Sequence, residues 1–245
     1  MTRFNRRNFL KSSLFGASGI LVSGSVKAGT ARAGTEMITR KLGKTGLELP
    51  ILSMGVMRAD TPTLVKAAYD AGIKHFDTAH TYQRGKNEEM LGEFFKNRPR
   101  DSFTIATKVI PPGIDRKTGK LGSKFTKWRF LEMAETSLER LQMDYVDIFY
   151  HHLASSRETL LNEDMLDALK QLKQEGKAKH VGVSTHKNQA EVIRAAIEGG
   201  VHEVILVAIN FTMKDDKDLM DAIEEGAAAG LGFIAMKTMA GGFHD

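Results

Sequence analysis

Residues 75–82 read His75-Phe76-Asp77-Thr78-Ala79-His80-Thr81-Tyr82, a short apolar start that runs into a carboxylate and, five residues later, a phenol. Two other segments end in a similar way. Phe103-Thr104-Ile105-Ala106-Thr107-Lys108 closes on a lysine, and Tyr145-Val146-Asp147-Ile148-Phe149-Tyr150-His151 is followed by His152. Asp77, Lys108 and His152 thus fall at the C-terminal ends of strand-like runs, where a barrel of parallel strands carries its chemistry. A phenol near an ammonium makes chemical sense as a proton donor. Free tyrosine titrates near ~10 and lysine near ~10.4, and a fixed positive charge is expected to lower the phenol's pKa toward a working range. Tyr82 is the candidate acid.

Around these segments, short apolar runs alternate with amphipathic stretches, the pattern of strand–helix units on a parallel sheet. After a hairpin around Lys41 to Pro50, strands are predicted at Ile51–Met54, Lys74–Asp77, Thr104–Lys108, Val146–Tyr150, His180–Ser184, Val204–Ile209 and Gly232–Met236, with six helices between them. In the third helix, Phe130, Leu131, Ala134, Leu138 and Leu141 share one stripe. The fourth starts near Asn162, presents Leu166, Leu169 and Leu172, and stops at Gly176. No linker, repeat or low-complexity segment divides residues 34–245, which are read as one α/β domain. The expected fold is a TIM-type (β/α)8 barrel. Such a barrel has eight units in roughly 250 residues, whereas seven strands are read here and the sequence ends at Asp245 just after the seventh. The expectation is therefore a C-terminally incomplete barrel, cut from a longer protein, with exposed strand edges prone to association.

The segments Lys41–Met57, Ala67–Gly92, Ile105–Val109, Tyr145–Leu153, His180–His186 and Gly232–Gly242 resemble the aldo-keto reductases, and the likeness covers nearly everything after the first thirty-odd residues. It implies reduction of a small aldehyde or ketone to an alcohol with NADPH or NADH. It also implies a tetrad of Asp77, Tyr82, Lys108 and His152. Of the adjacent histidines, His152 is chosen because the family's histidine comes five residues after the Asp of the fourth strand, here Asp147; His151 is then its wall-facing neighbour. Cofactor contacts are expected from Gly55, Val56, Met57, Ser184, Thr185 and Lys237. The family's Ser-Asn pair is here Ser184-Thr185, and its Gln and stacking Tyr of the sixth strand are replaced by Leu206 and Ile209, so the nicotinamide meets only apolar contact there. Similar departures occur in a branch with a C-terminal iron–sulfur domain. The residues that grip the adenosine 2′-phosphate in the family lie mostly after the eighth strand, which implies weak nucleotide affinity for this chain alone.

The chain carries 35 Lys+Arg and 30 Asp+Glu, but residues 1–33 hold six of the basic residues (Arg3, Arg6, Arg7, Lys11, Lys27 and Arg32) and no acidic ones. The remainder is 29 against 30, so the high sequence pI belongs to the leader and a basic nucleic-acid-binding domain is not implied. With no cysteine, disulfides and thiolate metal sites are excluded within this sequence. Arg6-Arg7-Asn8-Phe9-Leu10-Lys11 resembles a twin-arginine export signal. Ser12 to Val26 is too weakly apolar for a stable membrane span, and Ala31-Arg32-Ala33 offers a cleavage site. The leader's expected partner is the twin-arginine export machinery, and the expected destination the periplasm.

Other groups have duller readings. His75 and His80 read as a strand and a loop residue, His151 as structural, and Gly85 and Gly92 as serving a turn and helix packing. Arg116, Lys117, Lys120, Lys124 and Lys127 read as a solvated loop, the alternative being the border of an anionic substrate. Two other functions remain open: a catalytically silent barrel that binds nucleotide or a partner, and a metal hydrolase using His80, His151, His152 and Asp77. The second is disfavoured because no His-x-His pair ends the first strand, and no metal ligand set is assigned. For the leader, replacing Arg6 and Arg7 by lysine should hold the precursor in the cytoplasm with the leader attached. Fractionation and immunoblotting would show this, and undiminished periplasmic accumulation would contradict it.

Overall fold

A computed structural model describes residues 37–239; the leader, its cleavage site and the last six residues lie outside them. An antiparallel hairpin of β1 (Thr39–Lys41) and β2 (Glu48–Pro50) comes first. Then β3 (Met54–Gly55), β4 (His75–Asp77), β5 (Thr104–Val109), β6 (Val146–Ala154), β7 (Ala178–Thr185), β8 (Val204–Ala208) and β9 (Gly232–Met236) pair in sequence order, all parallel. The crossovers carry α1 (Pro62–Asp70), α2 (Lys86–Phe95), α3 (Lys127–Leu141), α4 (Arg157–Leu160), α5 (Glu163–Gln174), α6 (Gln189–Gly199) and α7 (Lys217–Ala229). This is an α/β sheet curled into an incomplete barrel. Among the described residues, β3 and β9 do not pair with each other.

Most expected elements are found within a residue or two, and the short α4 is the added one. The first strand is the main difference. Ile51 and Leu52 are exposed rather than in the sheet, because the Ile51 N–H is bonded to the Ile38 carbonyl and the hairpin holds that stretch. Pairing begins only at Met54 opposite Phe76. Helix ends follow local chemistry: the Asn162 side chain accepts from the Met165 N–H and starts α5, as a residue that offers a side-chain oxygen to orphan N–H groups should.

Strand alternation makes a lumen core and an outer layer in two clusters, the second where Val183, Ile205 and Val207 pack against Val192 and Ile193 of α6 and Leu219 and Ala222 of α7. Facing inward, Ala106, Ile148, Tyr150, Val204 and Leu206 fill the lumen together with Leu42 and Leu49 of the hairpin region. Facing outward, Phe76, Ile105, Val109, Phe149 and Val181 pack with Phe130, Leu131, Ala134 and Leu138 of α3 and with Leu169 and Leu172 of α5. The lumen has no spare width. A Cβ on Gly182 would lie 2.2 Å from the Val204 carbonyl and 2.8 Å from the Tyr150 ring, so a glycine there lets the tyrosine lie across the barrel.

Two histidines are buried away from the lumen mouth without hydrogen bonds: His151 in β6 and His202 before β8 leave all four ring nitrogens unpartnered. Burial, reinforced for His151 by His202, holds their pKa values at about 3 and about 4. Between the ordinary histidine pKa near ~6.5 and these values, the unfolded chain binds protons that the native chain does not, so stability falls as pH drops. The urea midpoint should decline from pH 7 to pH 5, by up to about 2 kcal/mol for each imidazole, and His202→Gln should flatten that decline. An unchanged pH slope in the variant would contradict this.

Candidate active site

The strand ends assemble the site because inward-facing positions recur every second residue. Asp77 ends β4, Lys108 lies one residue short of the end of β5, and His152 lies two residues short of the end of β6, all on the lumen side. Tyr82 comes from the loop after β4. Lys108 is almost wholly buried, and its Nζ donates to the Asp77 carboxylate and, at 2.6 Å, to the Thr78 carbonyl. The same ammonium lies 4.9 Å from the centre of the Tyr82 ring. Tyr82 and His152 meet edge to face with ring centres 6.1 Å apart. The four predicted residues therefore come together at one end of the lumen.

His152 reaches the mouth through an irregularity that the sequence did not reveal. The β6–β7 register shifts between His151 and Ala154, and Leu153 takes a left-handed backbone at φ 62°. Such bulges re-aim a side chain beside a site, and a branched residue tolerates this conformation only where the surroundings hold it. The strand continues to Ala154 rather than stopping at Tyr150.

The Tyr82 turn is equally constrained. Gln83 and Arg84 both have left-handed backbones. Gly85 follows at φ 92°, where a Cβ would sit 2.5 Å from the Arg140 guanidinium. Arg140 of α3 donates to the His80 carbonyl at 3.0 Å and to Glu88 at 3.3 Å, while Thr107 donates to the other Glu88 oxygen at 2.6 Å. Asn87 accepts from Thr78 and donates to the carbonyls of Val56 and Ala59. This buried polar frame of Asn87, Glu88, Thr107 and Arg140 was missed in the sequence. Its only signal there is a pair of polar residues in α2 at positions that the helix buries. Gly92 lets α2 approach the backbone of Arg140 and Leu141, and His80 bonds Ser137 from its loop. His75, in β4, bonds Thr104.

The electrostatics correct one expectation. The Tyr82 phenol is pushed above its ordinary pKa, first by burial and then by the charge of Asp77, not lowered by Lys108. The ammonium hydrogen bonds run to Asp77 and to the Thr78 carbonyl, not to the phenol. Burial draws the Lys108 ammonium below its ordinary range against the opposing pull of Asp77 and, after it, Glu88. His152 is held neutral, its pKa lowered to about 2 by burial first and then by Lys108, His186, His151 and Arg116.

The predicted cofactor residues divide. Ser184, fully buried on the strand beside His152, has a hydroxyl with no partner; Asp77 Oδ2, His152 Nδ1 and the Tyr150 hydroxyl are also unpaired. Unmet buried polar atoms cost about 1–3 kcal/mol each, and an unpartnered hydroxyl on the lumen side of β7 suits a polar ligand such as a carboxamide. Thr185 faces outward, and its hydroxyl donates to the Lys187 carbonyl at 2.9 Å, shaping the next loop rather than the mouth. Val56 is a core residue whose N–H donates to the backbone carbonyl of Asp77 and whose own carbonyl accepts from Asn87. Gly55 and Met57 flank it, exposed at the rim. Lys237 is exposed just after β9 on a left-handed backbone. Leu206 lies within the lumen, and Ile209 packs in the outer core beyond β8. Among the described residues, no group of three or more His, Cys, Asp or Glu is placed to hold a metal ion, and no helix is long and apolar enough to cross a membrane.

Against known proteins, the chain is 30% identical over 226 residues to L-glyceraldehyde 3-phosphate reductase of Escherichia coli K12, covering 84% of this chain and 63% of that protein. It is 29% identical to L-galactose dehydrogenase of Arabidopsis thaliana over 85% of this chain and 67% of the relative. The chain thus spans roughly two thirds of the length of these relatives. Among solved structures, the holo form of an aldo-keto reductase from Bacillus halodurans superposes with a TM-score of 0.68 at 26% identity, over 82% of this chain and 66% of that one. An aldo-keto reductase of Klebsiella pneumoniae in complex with NADPH shares the fold at 23% identity and a TM-score of 0.63, over 83% of this chain and 69% of its own. The profile described as "Aldo/keto reductase family" matches residues 48–245, which include the whole of the strand-end cluster, and the chain belongs to that family of oxidoreductases.

Proposed function

We propose that the protein reduces an aldehyde or ketone to an alcohol with NADPH, or NADH, at the cluster of Asp77, Tyr82, Lys108 and His152. The observation that carries this reading is the convergence of an uncharged phenol, a neutral imidazole and a buried ammonium at one lumen end, beside the unpartnered Ser184 hydroxyl. Similarity to proteins named as a reductase and a dehydrogenase supports it. The bound cofactor supplies the hydride. Ser184 would hold its carboxamide, with Gly55 and Met57 along the rim and Lys237 toward the phosphates.

Tyr82 then donates its proton to the carbonyl oxygen. A phenol held above its usual pKa stays protonated at neutral pH, and the alkoxide it must neutralise is far more basic than a phenolate, so the transfer runs downhill. Lys108 stabilises the phenolate that remains, from 4.9 Å beneath the ring. Asp77 opposes the loss of the Lys108 charge that burial favours. His152, neutral and edge-on to Tyr82, orients the carbonyl and does not compete as an acid. The leader would carry the folded enzyme to the periplasm through the twin-arginine pathway.

A second reading is a silent nucleotide- or partner-binding barrel. It is favoured by the diversion of Thr185 away from the mouth and by the absence of a ring at Ile209. Tyr82→Phe separates the two. It should lower kcat for carbonyl reduction by about 10²–10⁴-fold, as loss of a general acid does, with nucleotide affinity nearly unchanged in a fluorescence titration. Lys108→Met should be similarly severe and His151→Ala mild. Reduction that survives Tyr82→Phe but collapses in His151→Ala would overturn the assignment.

A further inference from the structure

Beside the mouth, Ile114 and Arg116 of the loop after β5, Leu153 and Ser155 at the end of β6, and His186 and Lys187 after β7 surround a second cavity of about 180 Å³. Its walls are tied together. The Gly119 carbonyl accepts from Ser156 and Thr159, Asn188 donates to the Ser155 carbonyl at 2.8 Å, and Thr185 closes the loop onto Lys187. Nearby cations are neutralised, Lys120 by Glu158 and Arg157 by Glu198. Arg116 and Lys187 have no ion-pair partner among the described residues. Asp115, next to Arg116, is turned into its own loop, accepting from the N–H groups of Lys117 and Thr118.

The cavity adjoins the reacting groups. Leu153 and His152 are consecutive, and Arg116 and His186 are both near enough to His152 to help hold it neutral. Resting on the proposed carbonyl reduction, we infer that this cavity seats the phosphate of a small phosphorylated aldehyde whose carbonyl lies between Tyr82 and His152. Two unpaired cations match a phosphate monoester, which carries about −1.5 to −2 at neutral pH. Arg116 offers a planar fork suited to phosphate oxygens, Lys187 a point charge. A volume of about 180 Å³ suits a phosphate with a short carbon chain and is too small for a nucleotide. The loop expected to be merely solvated thus contributes one cation, Arg116, to the site's edge.

The test uses the 245-residue chain in two measurements. The first is the ratio of kcat/KM for glyceraldehyde 3-phosphate to that for glyceraldehyde, expected to be well above one and to fall about tenfold or more in Arg116→Gln/Lys187→Gln, with Arg116→Lys keeping most of it. The second is calorimetric titration with inorganic phosphate in the absence of cofactor, expected to show binding to the wild type that the double variant loses. If neither aldehyde is reduced, the catalytic reading fails while phosphate binding still decides the cavity. A ratio near one together with no phosphate binding overturns the inference. So does a double variant that keeps its ratio but loses affinity for NADPH relative to NADH, which would make the cofactor's phosphate the occupant.

Discussion

The buried contact between Lys108 and Asp77 is the constraint around which the site is arranged. An ammonium at the end of a lumen has no water to solvate it, and removing one partner of such a buried pair typically costs about 3–5 kcal/mol because the other charge is left uncompensated. The sheet makes the contact compulsory. β4 and β5 are neighbours in register, Asp77 opposite Ala106, so a lysine two residues further along the same face reaches back to the carboxylate and to the Thr78 carbonyl. The pair thereby fixes the start of the loop that carries Tyr82, and it places a positive charge beneath the phenol ring. It does not make the phenol more acidic in the resting protein. Its effect falls on the phenolate left once the proton has gone.

Around that pair the protein concentrates left-handed backbone at the same end of the sheet. Among the described residues, five of the six non-glycine left-handed backbones, at Gln83, Arg84, Leu153, Asn188 and Lys237, lie in loops or strand ends at the C-terminal side of the strands; the sixth, Gln142, caps α3 at the other end. Each such residue costs on the order of 1–3 kcal/mol and persists only where its surroundings over-determine it. Arg140, Glu88 and Asn87 supply that determination for the Tyr82 turn, and the bulge in β6 supplies it for His152. The opposite end carries the hairpin, whose Leu42 and Leu49 close the lumen with apolar contacts. Stability and chemistry are divided between the two ends.

Much of this was legible in the sequence, for definite reasons. Strand runs such as Thr104–Lys108 are short, apolar and end in a reactive group, and the stripe from Phe130 to Leu141 has only one helical reading. The proximity of Asp77, Lys108 and the histidine pair followed from where the strands end, while the choice of His152 over His151 came from the family resemblance. What the sequence concealed depends on geometry at single residues. The exposure of Ile51 and Leu52 follows from a hairpin bond to Ile38 that no hydrophobic pattern encodes. The outward turn of Thr185 and the core placement of Val56 depend on which face of the chain each occupies at a strand end. The Tyr82 pKa depends on burial first and then on the charge of Asp77, neither of which a hydrophobic pattern encodes.

The central claim is that a carbonyl carbon receives hydride at the lumen end while Tyr82 protonates its oxygen. The most direct measurement is isotope tracing: a reduced nicotinamide cofactor carrying deuterium at both C4 positions is turned over with an aldehyde, and the product alcohol is examined by NMR and mass spectrometry. One deuteron bonded to the carbinol carbon, with a primary isotope effect on the single-turnover rate, is the predicted result. An alcohol without label at that carbon, or cofactor that binds and is never oxidised, would contradict the account.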